Sequence, residues 1–234
     1  MRLMLGADCV VRNAAGQVLL VKREDFRVWT IPGGGGDPGE APSQIAVRET
    51  LEESGVEAAI EELVGVYTFQ DARNLMFVYS GHPVGGELRT SFESVDVRYF
   101  RPDVLPTRML HLHRQRLLDG LSDARGFVRY QPFPLWAKLM LPTLIQARRL
   151  RNRLRGHPEV PPVWREVRVL GVLPGNGAGP RQFEVTRCGS QPVWEALRQQ
   201  ASRELDAPVA ITRVLDAQQG ADGVVAVRFE LQAD

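Results

Sequence analysis

At 234 residues, 44% apolar and 24% charged, the chain has the ordinary composition of one large or two small globular domains. The net charge of +1 points to no partner class, and Cys9 and Cys188, with no Cys or His at ligand spacing, exclude a disulfide framework or cysteine-based metal knuckle. No apolar run approaches the ~20 residues of a membrane-spanning helix, and Arg2, Gly6 and Asp8 break the opening stretch where a signal sequence would need an apolar core. A cytoplasmic protein is the expectation.

Residues 4–12 (MLGADCVVR) and 17–23 (QVLLVKR) flank Asn13-Ala14-Ala15-Gly16 and predict a hairpin. Cys9, inside the first apolar run, reads as a core thiol. Phe26–Ile31 is a short extended piece ended by Pro32-Gly33. Residues 33–56, GGGGDPGEAPSQIAVRETLEESGV, then form a glycine-rich turn and a helix with Pro42 in its first turn and Gly55 at its C-cap. On that helix Glu49, Glu52 and Glu53 stand at i, i+3 and i+4, so three carboxylates share one face. A solvated acidic face is the bland reading. The preceding glycines, which let a ligand approach the backbone, favour a divalent-metal site built to handle phosphates. Ala46, Val47, Thr50, Leu51 and Ser54 are expected to pack on a sheet, with the Thr50 hydroxyl bonded one turn back.

Residues 57–70 and 74–82 predict two strands around a turn at Asp71-Ala72-Arg73, and 95–100 another. A helix is expected from about Arg108 to Leu121. Residues 122–160 form a basic connector. Residues 1–100 hold 9 basic and 15 acidic residues, 101–160 hold 12 and 4, and 161–234 hold 8 and 9. Within the connector, Leu139, Leu144, Ala147, Leu150 and Leu154 share a stripe among arginines, with Pro142 expected to interrupt the helix. This segment reads as an intramolecular or homodimer contact, ahead of an interfacial membrane helix or a nucleic-acid patch. Glu159–Pro162 reads as a linker. Beyond it come strands at REVRVLGVLP and RQFEVTRC, a helix from about Pro192 to Leu205, and strands near 208–215 and 223–231.

The motif at Gly34, Glu40, Arg48, Glu49, Glu52, Glu53, Gly55 and Val56 resembles the signature of the Nudix hydrolases, departing from it only at Thr50, where an aliphatic residue is usual. The resemblance extends over residues 1–121. It implies an α+β fold, an α/β/α sandwich around a mixed sheet, followed here by the helical connector 122–160 and a smaller α+β domain at 161–234. It also implies a Mg²⁺-dependent (or Mn²⁺-dependent) hydrolase that cleaves the pyrophosphate of a nucleoside diphosphate derivative. Metal ligands would be Glu49, Glu52, Glu53 and the Gly34 carbonyl. Arg48 and Glu40 would support them, and Glu93, just before the strand at 95–100, would be a further ligand or the base. Among like-charged neighbours, at least one glutamate is expected to have a raised pKa without metal.

Substrate residues are harder to read. Arg23, Arg27 and Arg73 are candidates for phosphate, and Phe26, Trp29, Tyr67 or Phe69 for stacking on a base, although Trp29 equally suits a core. A nucleoside triphosphate or nucleotide sugar is the expected substrate. A nucleotide-sensing regulator, or an RNA 5′-end pyrophosphohydrolase using the basic connector, are the alternatives. Segment 161–234 echoes the order of the first domain. Aligning Arg198 with Arg48 puts Gln199, Ser202 and Arg203 where Glu49, Glu52 and Glu53 stand, as in a degenerate Nudix-like repeat unable to hold metal; an unrelated small α+β domain fits the sequence as well.

Overall fold

The computed structural model describes residues 1–233 apart from 70–72, 134, 155, 157–162, 176–178 and 186–190. Glu159–Pro162, Asp71-Ala72 and Cys188 lie outside the described residues. The first half forms β1 (Arg2–Val11), β2 (Val18–Arg23), β3 (Trp29–Thr30), β4 (Gly33–Gly35), α1 (Pro42–Ser54), β5 (Val56–Thr68), β6 (Asn74–Gly86), β7 (Ser94–Phe100) and α2 (His111–Leu121). Next come β8 (Phe127–Tyr130) and α3 (Leu135–Leu154). The rest forms β9 (Trp164–Leu173), β10 (Arg181–Val185), α4 (Val193–Leu205), β11 (Val209–Gln219) and β12 (Val225–Ala233).

A nine-stranded mixed sheet runs in the order β11-β12-β9-β1-β6-β5-β8, with β10 on β9 and β4 on β1; β3-β2-β7 form a second, small sheet. From Leu5 to Val11, β1 is buried on both faces. Its alternation serves two layers. Leu5, Ala7 and Cys9 join Ile45 and Ala46 of α1 in one apolar cluster, while Val10 joins Leu117 of α2 in the other. Helices therefore cover the central strand from both sides, as a sandwich requires.

The expected hairpin at residues 4–23 does not extend past its mouth. Only Arg12 bridges Val18, after which β2 leaves to pair with β3 and β7. A strand apolar on both faces suits the interior of a sheet, and the backbone of β1 is paired with β6, β4 and β9 instead of β2.

In α1, the Gln44 side chain accepts from the Ala41 amide (2.9 Å), and Gly55, at φ 76°, closes the helix with its amide on the Leu51 carbonyl. Thr50 is fully buried and its hydroxyl donates to the Ala46 carbonyl at 2.7 Å, so its polar atom is satisfied inside the core. The buried face is Ile45, Ala46, Thr50, Glu53 and Ser54. Leu51, expected inside, is at the surface; the face is turned toward Glu53, whose carboxylate has a partner indoors.

Strand β8 had no clear signature in the sequence. It adds to β5 in parallel, and Gly126 just before it links the ends of the large sheet, donating to the Val64 carbonyl and accepting from the Val214 amide of β11, each at 2.9 Å. Helix α3 continues through position 142, where an interruption was expected. It exposes Leu139, Met140, Leu144, Leu150 and Leu154, and its Arg151 donates to Glu24 at 2.6 Å.

Four strands and a helix of the second half share a pairing pattern with four strands and a helix of the first, without a counterpart of the β3-β2-β7 sheet among the described residues. β1 pairs in parallel with β6 and antiparallel with β4, β5 pairs antiparallel with β6, and α1 lies between β4 and β5 in sequence. Likewise β9 pairs in parallel with β12 and antiparallel with β10, β11 pairs antiparallel with β12, and α4 lies between β10 and β11. Both helices have 13 residues and end on a left-handed cap, Gly55 and Asp206. The two units meet where β1 and β9 run antiparallel, with Leu3 opposite Arg165. One apolar cluster passes through both. Matching the caps sets Glu49 against Gln200, Glu52 against Arg203 and Glu53 against Glu204, one residue on from the register read off the sequence.

Candidate active site

The site begins as backbone. Strand β4 lies along β1 with Gly35, Gly34 and Gly33 opposite Gly6, Ala7 and Asp8. A side chain at Gly33 would strike the Asp8 carboxylate and the Ala7 carbonyl, and a Cβ on Gly34 would sit 2.5 Å from the carboxyl carbon of Glu49. Glycine here lets α1 lay its acids against the strand. The Gly33 amide donates to Glu53 Oε2 at 3.1 Å.

Arg48 gathers the neighbouring acids. Its Nε donates to Glu40 Oε1 (2.9 Å), its Nη1 to Glu49 Oε1 (2.9 Å) and Glu52 Oε2 (3.2 Å), and its Nη2 to Glu40 Oε2 (3.0 Å) and the Gly35 carbonyl (2.8 Å). These charge-assisted bonds tie the glycine turn, the loop before the helix and the acidic face into one body. Glu52 stays largely in solvent. Glu53 does not face solvent as the helical wheel implied; it is 4% exposed.

Two of the glutamates are poor acids. Burial pushes Glu49 up to about 7, with Arg48 opposing and Glu52 and Glu93 adding to the rise. Burial likewise pushes Glu53 up to about 8, opposed by Arg23 and the Gly33 amide and reinforced by Glu49 and Glu93. Loss of water, more than like-charge repulsion, is the dominant cause. Glu93 is thus an electrostatic neighbour of both. Next to it, the Ser94 hydroxyl donates to the Glu53 carbonyl at 2.6 Å, pinning the start of β7 to the end of α1.

Arg23 closes the other side. It grips Asp25 through two nitrogens (2.9 and 2.7 Å), and although burial works against its charge, Asp25, Glu53 and Glu93 hold its proton more tightly than usual. The other candidate substrate residues scatter. Arg27 is exposed in the β2–β3 turn at φ 53°. Arg73 is exposed beside Met4, while the acids gather near Asp8 farther along β1. Trp29 is 7% exposed and packs edge-on against Phe100, so it fills a core rather than offering a stacking face. Tyr67 is buried with its hydroxyl on Asp119 (2.8 Å), and Phe69 packs on Phe133, whereas Phe26 is exposed beside Arg27.

Behind Gly33 lies a cluster that the motif does not reveal. Arg116, 2% exposed, donates to Asp8 Oδ2 (2.8 Å) and Gln131 Oε1 (3.0 Å), and His113 Nδ1 lies 3.9 Å from the same Asp8 oxygen. Burial raises the Asp8 carboxyl against the opposing pull of Arg116. Burial lowers His113, helped by Arg116 and Arg23. An aspartate within the apolar run LGADCVV was the available signal for this cluster; nothing local marked its partner 108 residues away.

Among the described residues, no three Asp, Glu, His or Cys side chains converge as a finished metal cage. The donor set still suits a hard cation. Mg²⁺ keeps several waters and takes one or two carboxylates together with substrate phosphates, so a preformed cage is not required. Glu49 and Glu53, raised by burial and by neighbouring acids, are groups whose charge a cation would relieve.

The NUDIX domain family model matches residues 2–121. The "Putative 8-oxo-dGTP diphosphatase" of Bacillus subtilis (strain 168) is 39% identical over 124 residues, covering 51% of this chain and 81% of that protein. A "MutT-like protein" of Streptomyces ambofaciens is 37% identical over 123 residues, covering 53% and 79%. Among solved structures, a NUDIX hydrolase from Nitrosomonas europaea superposes with a TM-score of 0.50 at 22% identity, covering 57% of this chain and 80% of that one, a likeness of fold.

Proposed function

The chain belongs to the NUDIX domain family, and from that premise we propose that it is a divalent-metal-dependent pyrophosphohydrolase acting on a nucleoside triphosphate. The observation that carries this reading is the meeting of Glu49, Glu53 and Glu93 with Arg23 beside the bare backbone of Gly33 and Gly34. The triphosphate is favoured over the nucleotide sugar by the likeness to the Bacillus subtilis protein, whose name gives an 8-oxo-dGTP diphosphatase.

Glu49, Glu52, Glu53 and the Gly34 carbonyl would hold Mg²⁺ or Mn²⁺. A cation bound there neutralises phosphate charge and acidifies water. Everything else falls to the chain itself. Arg23, held in place by Asp25 and an electrostatic neighbour of Glu53 and Glu93, would meet the phosphates and offset charge developing on them. Arg48 holds Glu49 and Glu52 by one oxygen each, leaving their second oxygens to serve the site. Glu53 is fixed by the Gly33 amide, and once the cation offsets the burial that holds its proton it would be an ionised carboxylate able to accept a proton from attacking water. Glu93, on the exposed side, is the alternative acceptor. A cytoplasmic setting and a homodimer through residues 122–160 belong to this reading as well. The exposed leucines of α3 are the surface a second copy would cover, and a monomeric mass at all concentrations in light scattering would remove the dimer.

The test is a panel of 8-oxo-dGTP, dGTP, ADP-ribose and UDP-glucose with Mg²⁺ or Mn²⁺, scored for phosphate and pyrophosphate. Hydrolysis of a triphosphate to monophosphate and pyrophosphate supports the reading. Metal-independent hydrolysis, or none on any member, defeats it.

A further inference from the structure

Arg165 lies on β9, outside the NUDIX match, and is 7% exposed. Its Nη1 donates to two carbonyls of the loop before α1, Asp37 (2.9 Å) and Glu40 (3.0 Å). From the end of β11, Gln219 Nε2 donates to the Gly39 carbonyl at 3.0 Å. Three of the four carbonyls from Asp37 to Glu40 are thus capped by the C-terminal unit. The same loop carries the Glu40 side chain, which accepts from the Asp37 amide (3.0 Å) and receives the Nε and Nη2 of Arg48. Arg48 in turn holds Glu49 and Glu52. A continuous run of hydrogen bonds therefore leads from β9 to the acidic face of α1.

The physical case is one of fixing a short loop with little packing of its own. Asp37 and Gly39 are exposed, and Gly39 takes a left-handed φ of 82°, so the loop has few contacts to choose its conformation. A buried guanidinium is costly unless its donors are used, and Arg165 spends its Nη1 on loop carbonyls. The C-terminal unit reproduces the pairing of β1, β4, β5 and β6, though not the small β3-β2-β7 sheet, and lies against the first unit through β1 and β9; it offers Gln200 and Arg203 where the first has Glu49 and Glu52. Of the three acidic positions it keeps a carboxylate at one, Glu204 in the place of Glu53, and lacks the other two.

We propose that residues 164–233 are a degenerate second copy of the catalytic unit that serves as its built-in partner, with Arg165 and Gln219 as positioning residues for the Asp37–Glu40 loop and, through Glu40 and Arg48, for Glu49 and Glu52. The catalytic part of this inference rests on the hydrolase reading above; the positioning part does not. Arg165→Gln removes the paired donation, whereas Arg165→Lys keeps one nitrogen able to serve both carbonyls. Gln219 lies at the surface, so Gln219→Ala tests the same loop with little risk to folding.

In full-length protein, amide exchange over residues 36–41 should rise in Arg165→Gln, and to a smaller degree in Gln219→Ala, while β12 and β6 keep wild-type protection. Mn²⁺ affinity, read by paramagnetic resonance without substrate, should fall several-fold. With the nucleotide that the wild type hydrolyses, kcat should fall about ten-fold or more at nearly constant KM, because displaced acids cost more than their share of binding. Arg165→Lys should recover most of each. Unchanged exchange at 36–41 in a folded Arg165→Gln or in Gln219→Ala overturns the proposal, as does unchanged Mn²⁺ affinity in a folded Arg165→Gln. A loss of stability alone, with exchange spread evenly over the chain, also overturns it. A wild type inactive on every nucleotide defeats the hydrolase reading, and exchange and Mn²⁺ affinity still decide the positioning.

Discussion

The amide of Gly33 donates to the carboxylate of Glu53 at 3.1 Å, joining the glycine turn to the last turn of the helix it precedes. The two neighbouring glycines should respond differently to substitution. In Gly33→Ala the new methyl meets the Ala7 carbonyl, part of a paired strand, and the buried Asp8. In Gly34→Ala its nearest neighbours are the carboxylate atoms of Glu49, the end of a side chain that can swing away. Urea titration should therefore show Gly33→Ala losing about 2 kcal/mol or more and Gly34→Ala under about 1 kcal/mol. Turnover of Gly34→Ala should nonetheless fall, because Glu49 is displaced.

Asp8 and Arg116 form a buried ion pair, 1% and 2% exposed. Removing one partner strands the other charge, so Asp8→Ala should cost about 3–5 kcal/mol. The double variant Asp8→Ala, Arg116→Met should recover a large part of that. Equal stability of the single and double variants would mean that the pair is not what Asp8 supplies.

His113 faces Asp8, Arg116 and Arg23, and burial lowers it well below its ordinary value of 6.5. Below about pH 6.5 the unfolded chain takes up a proton that the folded chain refuses, so stability rises with pH across that window. The contribution is complete above about pH 6.5 and is lost as pH falls toward the folded value. Chemical denaturation of the wild type should show a steeper loss between pH 7 and 5 than His113→Gln. Parallel profiles would remove this residue from the acid response.

Cys9 is fully buried, and loss of water pushes its thiol up to about 12. In the native protein at pH 8, iodoacetamide should leave the peptide containing Cys9 unmodified, and label it fully once urea unfolds the chain. Peptide mass mapping reads this directly, whatever Cys188 does.

How much of this was legible in the sequence depended on whether the governing contact was local. The helix at 42–54 could be read because Pro42, Gly55 and the spacing of its acids are local signals. Glu53 was misplaced because helical periodicity orders side chains around an axis without saying which arc is covered; the Gly33 amide and β7 decide that. The parting of β1 and β2 was hidden for the same reason, since only distant strands reveal that β1 is claimed on both edges. Arg165 looks in sequence like one more charge on an alternating strand. Its use lies across 125 residues, at the Glu40 carbonyl.

The most direct test of the central claim is steady-state turnover of Glu53→Gln on the triphosphate that the wild type hydrolyses, with Mg²⁺. The amide oxygen of Gln can still accept from Gly33, and a buried acid is removed, so the variant should fold at least as stably as the wild type in the absence of metal. Its kcat should nevertheless fall by about three orders of magnitude. A folded Glu53→Gln protein that turns over within a few-fold of the wild type would contradict the account.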